Sequence, residues 1–167
     1  DRLLEMNDQI QECAVIFSDN ARKVWDFELG PLNPADIPFQ VYDPADLFAP
    51  MASGSAGFET MIIAPCSMGT LGRIASGVSD DLITRSADVI LKERRRLILV
   101  VREAPYNLIH LRNMTQLTEG GAIICPASPS FYSKPLSVEE AVMTVIERVL
   151  SLAGFRFDGF RWGESPT

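Results

Sequence analysis

Several short stretches of this chain combine residue types that could grip an anion, a ring or a proton. Arg102 and Glu103 stand side by side directly after the apolar run 97–101 (LILVV). Arginine can hold a phosphate through two parallel hydrogen bonds, and a neighbouring glutamate can accept or relay a proton. Cys66-Ser67-Met68-Gly69-Thr70 follows the run 60–64 (TMIIA) and precedes a helical pattern. Serine and threonine there can cap a helix, and the free amides of its first turn can hold a phosphate or the polar edge of a ring; capping without a ligand accounts for the same residues. Ala52-Ser53-Gly54-Ser55-Ala56-Gly57 is small and glycine-rich, which suits either close approach of amides to an anion or a flexible loop. Phe131-Tyr132, after Cys125-Pro126, offers an aromatic face and one hydroxyl.

Arg85 and Lys92 are seven residues apart in one helical pattern and so share a face. Two cations on one stripe make a wall of an anion pocket or a salt-bridged surface, and Asp81 and Asp88 on nearly the same stripe favour the second. Lys92, Arg94, Arg95 and Arg96 crowd together at the end of that helix, where cations near the negative dipole pole read as a solvated terminus. Arg148 sits in an otherwise apolar helix (VMTVIERVL) and must find a partner or reach the surface. His110 has no evident nucleophile or carboxylate beside it and reads as structural. Cys13, Cys66 and Cys125 lie in or beside apolar runs and read as buried reduced thiols. With one histidine and no Cys-x-x-Cys, a transition-metal site is not expected. No Walker loop, Gly-x-Ser-x-Gly elbow or His-Glu-x-x-His is present.

The elements that must position these groups alternate. Strands are expected at 12–17 (ECAVIF), 60–64, 97–101 and 122–125, with an edge strand at 39–42 inside the proline-rich stretch 30–50. Helices are expected at 19–27, 70–76, 81–93, 107–118 and 137–152, the last opened by a Ser-Val-Glu-Glu capping box at Ser137. Strands alternating with helices imply a single α/β domain with a doubly wound, Rossmann-like parallel sheet over 1–154, followed by an irregular aromatic tail, 155–167. In such sheets ligands bind beyond the carboxyl ends of the strands. That rule points to Ser18, to 66–70, to Arg102 and Glu103, and to 126–132. Residues 1–6 (DRLLEM) read as the last turns of a helix, so the first strand of the domain is expected to be missing. Length (167 residues) and 47% hydrophobic content fit one well-cored domain, and some apolar surface is expected to be covered by other subunits. A net charge of −7 disfavours nucleic acid, and no apolar run is long enough for a membrane span. A soluble, cytoplasmic protein is expected.

Taken in order, Ala52-Ser53-Gly54-Ser55, Pro65-Cys66-Ser67-Met68-Gly69-Thr70-Leu71, Leu91-Lys92-Glu93-Arg94-Arg95, Val101-Arg102-Glu103-Ala104-Pro105, Phe131-Tyr132 and Arg161-Trp162-Gly163-Glu164 resemble the flavin prenyltransferase family. An older name for that family is 3-polyprenyl-4-hydroxybenzoate carboxy-lyase, which links it to ubiquinone biosynthesis. The resemblance implies a metal-independent enzyme that joins the prenyl group of dimethylallyl monophosphate to N5 and C6 of reduced FMN. Its product would serve a downstream prenylated-flavin-dependent decarboxylase, and the enzyme would be a homo-oligomer, a dodecamer. Carried over by position, Ser18, Ser67, Met68, Gly69, Thr70 and Arg102 would bind FMN. Arg85, Lys92, Tyr132 and Arg148 would hold the prenyl phosphate, some of them supplied by a neighbouring subunit. Glu103 and Glu28 would be catalytic, with Ser53 and Trp162 lining the site. The family also opens with a strand and a Gly-Ala-Ser-Gly phosphate loop that these residues lack, which would leave them short of full activity. It carries an aromatic over the flavin where this chain has Leu47, with Phe48 adjacent. Two other functions are compatible with the fold: an FMN-dependent cysteine-type decarboxylase and a non-catalytic FMN carrier. The first uses a histidine base and a Pro-Ala-x-Asn loop, whereas this chain has Pro126-Ala127-Ser128-Pro129 and a helical His110.

Overall fold

A computed structural model describes residues 2–157, so Trp162 lies outside the described residues. The strands are β1 (Ala14–Ile16), β2 (Gln40–Tyr42), β3 (Thr60–Cys66), β4 (Arg96–Val101) and β5 (Ile123–Pro126). The helices are α1 (Asp19–Leu29), α2 (Met68–Ala75), α3 (Leu82–Lys92), α4 (Leu108–Glu119) and α5 (Val138–Ala153). Every strand pairing is parallel. Strands and helices alternate as the sequence predicts, and the class is α/β.

β4 is the centre. Leu97, Leu99 and Val101 face one side and join Cys66, Leu71, Ala87, Ile90 and Leu117, the layer made with α2, α3 and α4. Ile98 and Val100 face the other side and pack with Cys125 and with Val149 of α5. A period of two with both faces covered is why this run is apolar without alternation.

The described strands form two sheets, not one: β1 with β2, and β3-β4-β5 in that order. No described strand carries the hydrogen-bond ladder from β1 to β3, so the continuous sheet expected of a doubly wound fold is interrupted there. Residues expected to end a helix at the start instead form a 3-10 helix, Leu4–Gln9, anchored by buried Met6. Its Gln9 exchanges two hydrogen bonds with the Arg156 backbone (2.7 and 2.8 Å), so the beginning of the tail is tied down, not loose. No helix among the described residues is long and apolar enough to cross a membrane.

Local chemistry sets the helix boundaries. α2 begins at Met68, earlier than expected, because the Ser67 hydroxyl caps the Thr70 amide at 3.1 Å. α3 starts in a full capping box, with Asp81 accepting from the Thr84 amide at 2.7 Å and the Thr84 hydroxyl facing the Asp81 amide. At α5 the expected box is shifted: Ser137 caps Glu140, but the Glu140 carboxylate takes the amide of Leu136, one residue before the cap.

Candidate functional site

The parallel register brings three strand ends level. Cys66 pairs with Val101, and Val101 with Pro126, so the segments that follow them emerge side by side. After β3 comes the Ser67 cap. Ser67 Oγ accepts from the Thr70 amide and also lies 3.1 Å from Thr70 Oγ1. A side chain added at Gly69 would meet nothing nearer than Ser67 Oγ, 3.8 Å away, so the backbone of this first turn stands open.

After β4 come Arg102 and Glu103, both exposed, and after β5 the loop 127–132. Arg102, Glu103, Ala104, Tyr106, Ala127 and Ser128 line a cleft of about 280 Å³. The Ala127 amide donates to the Val101 carbonyl (2.8 Å), which pins the loop to the strand end. Glu103 Oε1 accepts from the Ala104 amide at 3.2 Å, fixing the carboxylate at the cleft wall. Further along, the Ser130 amide donates to Thr144 Oγ1 at 2.9 Å, and Arg148 lies one turn beyond Thr144 on the same face of α5. Arg148 is exposed and so reaches the surface, the second outcome open to it. Phe131 and Tyr132 are each 70% exposed at the outer edge of the loop.

The thiols beneath this face are unsuited to nucleophilic work. Burial pushes the Cys66 thiol up to about 12, with the Leu71 amide pulling the other way. Burial also raises Cys125, with Arg148 pulling the other way. All three cysteines are free; Cys13, expected to be buried, is half-buried because β1 is covered less completely than β4. His110 is structural, as expected: with Asn107 it forms the capping box of α4.

Other site residues lie elsewhere. Lys92 ends α3, four residues ahead of β4, and the six residues of β4, at about 3.3 Å each, separate that end of the strand from Arg102 by roughly 15–20 Å. Lys92 is bonded to the Glu93 carboxylate. Arg85 Nε donates to the Ala52 carbonyl at 3.1 Å, and its Nη1 lies 3.3 Å from Asp88. The salt-bridged arrangement thus holds for Asp88, whereas Asp81 turns away and pairs with Arg73 at 2.8 Å. Beside Arg85 sits the glycine-rich loop, with the Ser53 and Ser55 hydroxyls 3.0 Å apart. Ser18, in the smaller sheet, caps α1 through the Ala21 amide at 3.1 Å, and Glu28 is exposed in the last turn of α1. Phe48 is fully exposed and Leu47 half so, which leaves the aromatic of the pair accessible.

Within the arginine cluster, the reading of a solvated terminus fails at one position, Arg95. Arg94 is exposed at φ 59°, as a solvated terminus should be. Arg95 is not: with 17% of its side chain exposed, it donates to the Gly54 carbonyl (2.9 Å) and the Phe58 carbonyl (3.3 Å). Arg96 crosses to the Ala153 carbonyl at the end of α5. The signal that separates the three is tertiary, since their partners are 36 or more residues away in sequence.

Comparison with known proteins identifies the family. The model of the Flavoprotein family matches residues 2–153. The flavin prenyltransferase UbiX of Methanocaldococcus jannaschii is 42% identical over 171 residues, covering 97% of this chain and 90% of that protein. The enzyme of the same name from Thermoplasma acidophilum is 55% identical over 113 residues, 68% of this chain, and the match spans 63% of that protein, less than two thirds of it. The crystal structure of AnUbiX in complex with FMN and dimethylallyl pyrophosphate superposes with a TM-score of 0.84 at 39% identity, over 95% of this chain and 89% of that one. A dodecameric FMN-dependent UbiX-like decarboxylase from Escherichia coli O157:H7 gives 0.86 at 37% identity, over 98% and 91%. The chain therefore belongs to the Flavoprotein family and, within it, to the flavin prenyltransferases.

Proposed function

We propose that the protein binds FMN at the level strand ends and joins a dimethylallyl group from dimethylallyl monophosphate to N5 and C6 of the reduced flavin. The observation that carries this reading is the register of Cys66, Val101 and Pro126, which sets the capped helix start next in line to a cleft lined by Arg102, Glu103 and the beginning of the 127–132 loop. The residues suit a flavin phosphate and ring edge: the α2 start, Met68-Gly69, offers open backbone at Gly69, with Thr70, Ser18 and Arg102 completing the polar contacts. Reduced FMN supplies the nucleophilic nitrogen and carbon.

The chain's own part is electrostatic. Breaking the allylic C–O bond places negative charge on the departing phosphate, and preorganised donors aimed at it lower the barrier. In this reading Tyr132 and Arg148, which follow β5, and Arg85 and Lys92, which lie on α3, share that task, with a neighbouring copy bringing Arg85 and Lys92 to the cleft. Exposed Phe27, Phe48, Phe131, Leu136 and Val138 support burial between subunits, up to a dodecamer. In this reading Glu103 accepts the proton released in the transfer, and Glu28 and Ser53 join the site when copies assemble. The product would be passed to a prenylated-flavin-dependent decarboxylase. Three unpaired cysteines accord with a cytoplasmic setting. The cysteine-type decarboxylase gains no support from His110, which is engaged in the α4 cap.

Anaerobic incubation of the full-length protein with reduced FMN and dimethylallyl monophosphate should give a flavin heavier by the prenyl group in mass spectrometry. Unmodified flavin after incubation, with FMN bound, would overturn the transferase reading and leave a carrier.

A further inference from the structure

Arg85 and Lys92 do not stand alone on α3. Their surroundings form one hydrogen-bonded unit with the loop 52–58. Arg85 holds the Ala52 carbonyl at 3.1 Å. Arg95 holds the Gly54 carbonyl at 2.9 Å and that of Phe58 at 3.3 Å, with the Glu59 carboxylate 3.7 Å from its Nε. Glu93 holds Lys92, and its carboxylate lies directly over Gly54: a Cβ there would fall 2.2 Å from Glu93 Oε1. Gly54 has no positive φ, so the requirement for glycine at this position is room for the Glu93 carboxylate and not backbone conformation. The neighbours of Gly54, Ser53 and Ser55, present their hydroxyls to solvent beside Arg85.

We propose that Arg95 and Glu93 are positioning residues for the anion-binding face formed by Arg85, Lys92 and Ser53. Arg95 clamps the loop, and Glu93, seated on Gly54, fixes the Lys92 ammonium against it. The inference rests on the reading of Arg85 and Lys92 as phosphate ligands. A planar guanidinium with a fork of donors suits two carbonyls at once, and lysine at position 95 could not reproduce that geometry. The Lys92 hydrogen bond, aided by its charge and that of Arg95, holds the Glu93 carboxyl below its usual range, so the tether is ionised near neutrality.

Two variants of the full-length protein test this, Arg95→Ala and Gly54→Ala. The second leaves Arg95 in place and displaces only the flexible end of Glu93. Calorimetric titration with dimethylallyl monophosphate, with FMN saturating, should show each variant weakened by about tenfold, the loss of one charge-assisted contact. FMN affinity and kcat should stay within about twofold while KM rises. Arg95→Lys should recover little of the loss, and the Gly54→Ala midpoint of thermal unfolding should match the parent. Parent-like prenyl phosphate affinity in both variants would overturn the proposal, as would equal losses of FMN and prenyl phosphate binding, which mark a general structural defect. A parent protein that binds no prenyl phosphate would overturn it too. A parent that binds it, with the variant losses above, yet yields no prenylated flavin would uphold the positioning role and overturn the transferase reading.

Discussion

The two sheets of this molecule are built to different standards. β4 is buried along its whole length after Arg96, and of the six buried residues of α3, Ala87 and Ile90 join the layer above it while Leu82 packs toward Ala14, Ile16 and Tyr42 of the smaller sheet. In the smaller sheet every residue of β1 is half-buried, β2 begins exposed, and α1 has no fully buried residue. Around the larger sheet, then, side chains are placed by packing, and the cleft loops inherit that precision. Around the smaller sheet, Ser18 and Glu28 are held chiefly by a cap and a short ladder. Stability should reside in the first region, and a change of equal size should matter less in the second.

The largest test is a pair of truncations. Leu99→Ala, at a fully buried position in β4, should cost about 2–5 kcal/mol in urea unfolding, the usual range when a cavity is left in a core. Val15→Ala in half-buried β1 should cost about 1 kcal/mol or less, at roughly 0.8 kcal/mol per fully buried methylene. Equal losses would mean that the two sheets share one core, and the comparison would fail.

Next comes a binding effect that should leave stability alone. Arg102 is exposed on a rigid strand end, so Arg102→Ala should leave the unfolding midpoint near that of the parent. FMN affinity should fall by about tenfold or more, the loss expected for a charge-assisted hydrogen bond. Unchanged affinity by fluorescence titration would remove Arg102 from the flavin site.

How much of this could be read in advance depends on whether the deciding contacts are local. LILVV in β4 was legible because burial on both faces leaves a continuous apolar run. Arg102-Glu103 was legible because the end of a buried parallel strand opens on the crevice, where a charged pair meets ligand or water and not core. The break between β1 and β3 follows from pairing, which single strands do not encode, and β1 formed over only 14–16 of the expected 12–17. Arg95 was beyond reach for a related reason. Nothing adjacent distinguishes it from Arg94; only the Gly54 and Phe58 carbonyls do.

Asp81 offers a smaller, pH-resolved test within the well-built region. Burial alone would raise its pKa, but the Thr84 amide, the Thr84 hydroxyl and Arg73 together outweigh burial and hold the carboxyl below its usual value. A depressed folded pKa means stability that is present above the unfolded value and lost as pH falls through the folded one. Asp81→Ala should therefore cost about 1 kcal/mol at neutral pH, as loss of an N-cap does. Asp81→Asn keeps a capping oxygen and loses only the charge, so its smaller deficit should begin to shrink below about pH 4 and disappear only once the pH is under the depressed folded value. A deficit that persists unchanged in acid would mean that the Arg73 pair contributes nothing.

The smallest effect separates the two regions most sharply. Ser67 and Ser18 make the same cap, each accepting an amide at 3.1 Å, so their intrinsic worth is alike, about 0.5–1 kcal/mol. What differs is the helix behind each cap. α2 carries Leu71, Ile74 and Ala75 into the core, so it cannot fray without disturbing β4 and α4, and Ser67→Ala should lower global stability by the full amount. α1 has no fully buried residue and leans on the sheet mainly through the edge contact of Trp25 with Phe17, so it opens more readily, and the penalty of a lost cap cannot exceed the free energy that docks the helix. Ser18→Ala should accordingly accelerate hydrogen exchange throughout α1 while moving the global midpoint less than Ser67→Ala does. Equal midpoint shifts for the two variants, with α1 amides still protected, would show that α1 is as firmly docked as α2.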